Sequence, residues 1–66
     1  MLAVVYTAPN RPVADMLLDM LKNEGIIGTL RPIGLPHLGA SASVEMLVPE
    51  SQAEEATEII NAFFAS

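Results

Sequence analysis

Cysteine is absent from the 66-residue chain, and basic residues are scarce. The absence of cysteine excludes disulfides, thiolate zinc sites, iron–sulfur clusters and thiol catalysis. Three Lys and Arg residues stand against eight Asp and Glu residues, so the formal net charge is −5. Nucleic acids and anionic membrane surfaces are therefore disfavoured as partners, because both are bound through clustered basic side chains. A metal site would need carboxylate ligands, since the chain has a single histidine.

Long apolar runs are also missing, and none approaches the roughly 20 residues that a membrane-spanning helix needs. The first residues lack the basic segment of a signal peptide, and we expect a cytoplasmic protein. Apolar residues make up 52% and charged residues 17% of the chain, which indicates one globular domain. A domain of about 60 residues buries only about 60% of the surface that its unfolded chain exposes, so self-association would add stability.

The first part of the chain predicts a strand at 2–7 and a helix at 10–24. The strand carries β-branched and aromatic residues and stops at a proline-containing turn. Asn10 has the chemistry of a helix N-cap, and Gly25 suits the left-handed position just after a helix end. Apolar residues at helical spacing predict one buried stripe on this helix: Val13, Met16, Leu17, Met20 and Leu21.

The remaining chain predicts a strand at 26–31, a loop at 32–41, a strand at 42–48 and a helix at 51–65. Gly28 indicates a bulge or the close approach of another backbone, because a glycine within a strand leaves room where a side chain would lie. The last helix begins with the spacing of a capping box, a serine followed three residues later by a glutamate. Its predicted buried stripe consists of Ala56, Ile59, Ile60 and Phe63.

The order of these elements, β-α-β-β-α, predicts an α+β fold. A right-handed crossover places the first and second strands parallel to each other in one sheet. The third strand returns antiparallel and lies between them, which predicts a three-stranded sheet of order 1-3-2 with both helices on one face. This arrangement is a ferredoxin-like βαββα sandwich without its fourth strand.

Several segments together resemble a known family. One segment, residues 5–10, ends the first strand and leads into a helix that ends at 24–26. Another segment, residues 44–50, leads into a helix that contains Ala53, Glu55 and Ala56. Over nearly the whole chain they resemble the small bacterial family of prokaryotic signal-transducing proteins. The resemblance implies a PII-like domain, similar to the nitrogen-regulatory PII proteins, which share a ferredoxin-like fold and oligomerise. The loop at 32–41 is much shorter than the PII effector arm, and the PII residues that hold nucleotide phosphates have no evident counterparts.

The loop at 32–41 is the candidate ligand- or partner-binding segment. It combines turn-forming residues with the side chains proposed for contact: Ile33, Leu35, His37 and Leu38. Exposed apolar residues on loops often mark interaction sites, although a loop that folds back over the core would have the same composition. His37 is either a proton-sensitive contact, since histidine ordinarily titrates near neutral pH, or an exposed loop residue.

A candidate anion site lies where the first helix begins, at Thr7, Asn10 and Arg11. Free backbone N–H groups and the helix dipole favour an anion there, and Arg11 would add positive charge. The role of Asn10 as an N-cap explains the same residue without a ligand. The sequence contains no recognisable nucleophile–base pair and no set of metal ligands, so we expect no catalysis, no metal and no cofactor.

The first strand gives the strongest signal of an interaction. It is apolar, carries no charge, proline or other feature that limits strand pairing over 2–7, and is predicted at a sheet edge, where backbone N–H and C=O groups lack partners. We therefore expect a homodimer formed through this edge or the open sheet face, or a protein partner that adds a strand.

These observations favour a small regulatory or signal-transducing binding module that acts through protein–protein or small-ligand contacts. The alternative is a purely structural dimerisation or docking domain, which would show no response to small molecules. A third hypothesis is a small enzyme with a pocket at a dimer interface, although no catalytic pair supports it.

Overall fold

The computed structural model describes residues 1–33 and 42–65. In chain order these contain β1 (Leu2–Ala8), α1 (Arg11–Asn23), β2 (Thr29–Pro32), β3 (Val44–Pro49), a 3₁₀ turn (Glu50–Gln52) and α2 (Ala53–Ala65). The three strands form one sheet in the order β1-β3-β2, and β3 is antiparallel to both neighbours. The strands β1 and β2 are therefore parallel to each other. The α+β fold and this strand order, both predicted from the sequence, are confirmed.

Both helices pack against the same face of the sheet. Leu17 and Leu21 of α1 and Ile60 of α2 are buried in one cluster with Met46 and Val48 of β3. Alternation along β3 places Met46 and Val48 on one face, so this face is the one that the helices cover. Each buried side chain of this size contributes about 1.5–3 kcal/mol relative to exposure, so this single layer holds most of the apolar stabilisation.

The ends of α1 follow the local signals in the sequence. The side chain of Asn10 accepts a hydrogen bond from the backbone N–H of Val13 at 2.9 Å, as an N-cap does. Gly25 has a φ of +86°, and the N–H of Ile26 donates to the carbonyl of Leu21 at 2.9 Å. This is a Schellman motif, whose usual apolar contact is present because Ile26 and Leu21 share the core cluster. Since the two caps flank the helix proper, it is shorter than the predicted 10–24.

The second strand was predicted at 26–31 and in fact begins at Thr29. The preceding residues are used differently, because Ile26 completes the end of α1 in the core. A Cβ atom on Gly28 would lie 2.9 Å from the side chain of Leu18 and 3.3 Å from the carbonyl oxygen of Leu47. The close approach predicted at Gly28 is therefore present, but it lies just before the strand.

The predicted boundaries of the last two elements also shift. Instead of covering 42–48, β3 begins at Val44 because its register with β2 ends at the pair Pro32–Val44. The helix was predicted to start at Ser51 with a capping box. The chain instead enters the 3₁₀ turn one residue earlier, and no side chain in the described ranges caps that turn. A backbone bond closes this corner, because the N–H of Glu50 donates to the carbonyl of Met1 at 2.9 Å.

The buried stripe of α1 is rotated from the predicted one. Ala14, Leu17 and Leu21 are fully buried, whereas Met16 is 45% exposed. At about 100° per residue, Met16 points well away from the direction that Ala14, Leu17 and Leu21 share. Ala14 packs in a second small cluster with Ala8 and Val44. These small side chains let the first turn of α1 approach the sheet, so the predicted burial of Met16 is wrong.

Candidate interaction surface

Along its seven residues, the outer edge of β1 faces no other strand in the described part of the chain. Within residues 1–33 and 42–65, β1 pairs with β3 on one side and with no strand on the other. The backbone groups directed outward from β1 therefore have no strand partner among the described residues. The other edge of the sheet is β2, which has four residues and includes Arg31 and Pro32.

A β-bulge divides β1 and decides which side chains face which way. Val4 pairs with Leu47 and Tyr6 pairs with Met46, which leaves Val5 as an extra residue. Both Val5 and Tyr6 pack against the core under the helices. A bulge changes the twist of an edge strand and is one of the features that limit unwanted pairing. The sequence-based prediction of an edge with no such feature is therefore wrong on this point.

The face of the sheet opposite the helices has an apolar row at one end. Val4 of β1 and Thr29 of β2 lie on either side of Leu47 in the central strand. Leu47 is only 6% exposed, whereas Val4 is 45% and Leu2 is 52% exposed. The exposed apolar surface of this row therefore belongs to β1 and not to the central strand.

A charged pair occupies the other end of the same face. Arg31 and Glu45 are directly opposite each other in the β2–β3 ladder. The guanidinium Nη2 lies 2.6 Å from the carboxylate Oε1, and Nε donates to the same oxygen at 2.7 Å. Thr7 of β1 lies on the other side of Glu45. This end of the face is consequently polar. Sequence reasoning missed the pair, although strand alternation could have placed both residues on one face.

Tyr6, Phe63 and Phe64 form a cluster that we call the aromatic rim, in which Tyr6 is partly buried and both phenylalanines are exposed. The rings of Tyr6 and Phe64 stack with centroids 5.5 Å apart and an interplanar angle of 26°. The rings of Phe63 and Phe64 meet edge to face at 5.2 Å. Phe63 is 40% and Phe64 51% exposed, so the predicted burial of Phe63 in the α2 stripe is wrong. Because Tyr6 belongs to the edge strand, the aromatic rim borders the open edge on the helix side.

The structure does not bring the predicted anion site together as a binding site. Asn10 uses its side chain as the N-cap of α1. Arg11 donates from Nε to the carboxylate of Asp15 at 3.1 Å, so its charge is directed along the helix. Thr7 is exposed in β1 opposite Glu45, whose carboxylate would repel an anion. Anion binding at these residues stays a prediction.

Most of the predicted binding loop lies outside the described residues, including Leu35, His37 and Leu38. Of the four candidate contacts only Ile33 is described. It is 40% exposed, and its N–H donates to the carbonyl of Ser43 at 2.8 Å, which continues the β2–β3 ladder. Ile33 thus extends the end of the sheet.

A shallow groove of about 240 Å³ lies beside the end of α1, lined by Leu18, Lys22, Ile27 and Gly28. Small-molecule sites usually measure about 300–1,000 Å³ and enclose most of the ligand. Ile27 is 68% exposed, which shows how open this groove is. Its shape therefore gives little support to a small-molecule site.

Residues 1–33 and 42–65 contain no group of three or more His, Cys, Asp or Glu side chains placed to hold a metal ion. None of the helices in these ranges has the length and apolar character that crossing a membrane requires.

Comparison of the chain with protein-family models, with curated proteins and with solved structures found no match. The resemblance to the prokaryotic signal-transducing proteins therefore stays a prediction from the sequence.

Proposed function

We propose that this chain is a small, non-catalytic binding module of regulatory type. It acts by adding a strand from another polypeptide to the open edge of β1. The observation that carries the proposal is this edge itself, seven residues long and without a strand partner in the described part of the chain. The resemblance to signal-transducing proteins supports a regulatory role, a ferredoxin-like, PII-like sandwich and a cytoplasmic location as parts of the same proposal.

The two edges of the sheet differ in a way that supports β1 as the working edge. The β2 edge is short and contains Pro32, which has no N–H to donate, and Arg31, whose charge disfavours strand addition. The β1 segment contains neither a proline nor a charged side chain. Proteins usually protect exposed edges by such features. Among the described residues a bulge is the one protective feature of β1, so this edge is better suited than β2 to accept a strand.

The side chains along β1 would supply affinity and selectivity. Added backbone hydrogen bonds contribute about 0.5–1.5 kcal/mol each after the exchange with water. Leu2 and Val4 present half-exposed apolar surface on the helix-free side, and their burial would add about 25 cal/mol per Å². This mode of recognition is β-augmentation, in which backbone bonds give affinity and alternate side chains give specificity.

Titration of the isotope-labelled protein with an extended peptide tests this proposal. The probe is a capped peptide of residues 2–8 with two lysines added for solubility, since it supplies one strand without a folded partner. We expect saturable amide shifts and slowed hydrogen exchange in β1, and no such change in β2. The control is the same peptide with proline in place of Val4, which cannot pair continuously. Unchanged β1 amides at saturating peptide would contradict strand addition.

A further inference from the structure

We propose that the partner at this edge is a second copy of the chain, joined by antiparallel pairing of the two β1 strands about a two-fold axis. This inference rests on the proposed function and names its partner. An antiparallel pair related by a two-fold axis uses the same backbone groups of both copies, so one open edge is complementary to itself.

The distribution of charge favours an identical partner. The chain has a formal net charge of −5, and two copies would repel each other over most of their surfaces. The acidic residue nearest the start of the chain is Asp15, and β1 itself carries no charged side chain. The side chains of two paired β1 strands therefore oppose no like charges. A strongly basic partner would be drawn to the acidic helix α2 and not to this neutral strand.

The exposed apolar side chains are concentrated along the same seam. Eight large apolar side chains of the described residues are exposed. Four of these lie on β1 or in the aromatic rim: Leu2, Val4, Phe63 and Phe64. Leu2 and Val4 flank the edge on the open face, and the aromatic rim flanks it on the helix side. A two-fold pair would cover apolar side chains on both sides of the sheet, because each copy contributes Leu2 and Val4 on the open face and the aromatic rim on the helix side.

Face-to-face packing of two sheets is less favourable than edge pairing. It would bury Arg31 and Glu45 in the contact, and the cost of removing two charges from water can exceed what their attraction returns. It would also gain little from Leu47, which is already only 6% exposed. The edge has no such cost, so the seam at β1 is the favoured contact.

Single-cysteine cross-linking of the full chain tests the seam directly, because the natural chain has no cysteine. The test variant is Val4→Cys, and the matched control is Thr29→Cys. These two residues flank Leu47 on the same face but lie on opposite edges of the sheet. When the two-fold axis passes close to Val4, the two copies of this residue are antiparallel neighbours with Cα atoms about 4.5–5.5 Å apart, within the usual disulfide range. Light scattering of the unmodified protein gives the mass independently of the variants.

We expect a mass of twice the 7.0 kDa of one chain, and we expect Val4→Cys to form a disulfide-linked pair under mild oxidation at least ten times faster than Thr29→Cys. A monomer across the accessible concentration range would overturn the second copy as partner. A monomer would not contradict the addition of a strand from another polypeptide. The peptide titration tests that proposal separately, because it does not require a dimer. A dimer in which Thr29→Cys cross-links and Val4→Cys does not would overturn the β1 seam. A dimer in which neither variant cross-links would overturn the pairing of β1 strands centred near Val4.

Discussion

Phe64, close to the end of α2, stacks on Tyr6 in the middle of the edge strand, with ring centroids 5.5 Å apart. This contact joins the last helix to the first strand, two elements that are far apart in the chain. It also holds the aromatic rim beside the open edge, where both Phe63 and Phe64 remain exposed. The contact therefore links the two ends of the folded chain while part of its apolar surface stays exposed.

Replacement of Phe64 measures how much this contact contributes. Full truncation of a buried Phe costs about 3–5 kcal/mol, and Phe64 is half-exposed, so we expect Phe64→Ala to lose about 1–2 kcal/mol. Phe64→Leu keeps most of the apolar area and should lose only the stacking, about 0.5–1.5 kcal/mol. Urea unfolding at one fixed protein concentration gives both values. An unchanged midpoint for Phe64→Ala would show that the stack does not stabilise the fold.

Matched substitutions at Leu17 and Met16 test the rotation of α1 about its own axis. Leu17 is fully buried, and Met16 is 45% exposed. Leu17→Asp should prevent folding, because an unpaired carboxylate would lie in the core. Met16→Asp should change stability by no more than about 0.5–1 kcal/mol, as surface substitutions do. Circular dichroism with thermal melting distinguishes them, and equal loss in both variants would contradict the observed rotation of the buried stripe.

Gly25 offers a test of the helix end that uses only backbone conformation. At a φ of +86° an L-residue other than Asn or Asp is strained by roughly 1–2 kcal/mol. We expect Gly25→Ala to lower the free energy of unfolding by about 1 kcal/mol and Gly25→Asn to lower it by less. A Cβ atom at this position meets nothing within 4 Å, so packing does not complicate the result. Equal values for the two variants would argue against conformational strain as the cause.

The Arg31–Glu45 pair should contribute little, because the Arg31 side chain is 60% exposed. A double-mutant cycle with Arg31→Ala and Glu45→Ala should give a coupling of about 0.2–1 kcal/mol. The coupling should fall when the salt concentration is raised, since exposed charges are screened. Chemical unfolding at low and high salt provides the measurement. A larger coupling that salt does not change would show that the pair is desolvated, for example by a contact across this face.

The sequence by itself determined the local features of the fold. Asn10 and Gly25 were both assigned correctly, since a cap and a left-handed turn depend on hydrogen bonds within a few residues. The order of helices and strands followed from apolar periodicity. The sheet order was predicted by placing the third strand antiparallel between the two parallel strands of a β-α-β unit. These rules act within one element or between neighbours in the chain. The residues that determine these features therefore lie close together in the sequence.

The relative orientation of these elements is seen in the tertiary structure and could not be predicted from the sequence. The bulge at Val5, the burial of Ala14 in place of Met16 and the stacking of Phe64 on Tyr6 could not be read from periodicity. Each depends on how closely two distant segments approach, and that distance is set by the volumes of side chains on both. Helical spacing allows several neighbouring orientations of an apolar stripe. Close packing against the sheet selects one of them, and the same selection leaves the β1 edge and the aromatic rim exposed side by side.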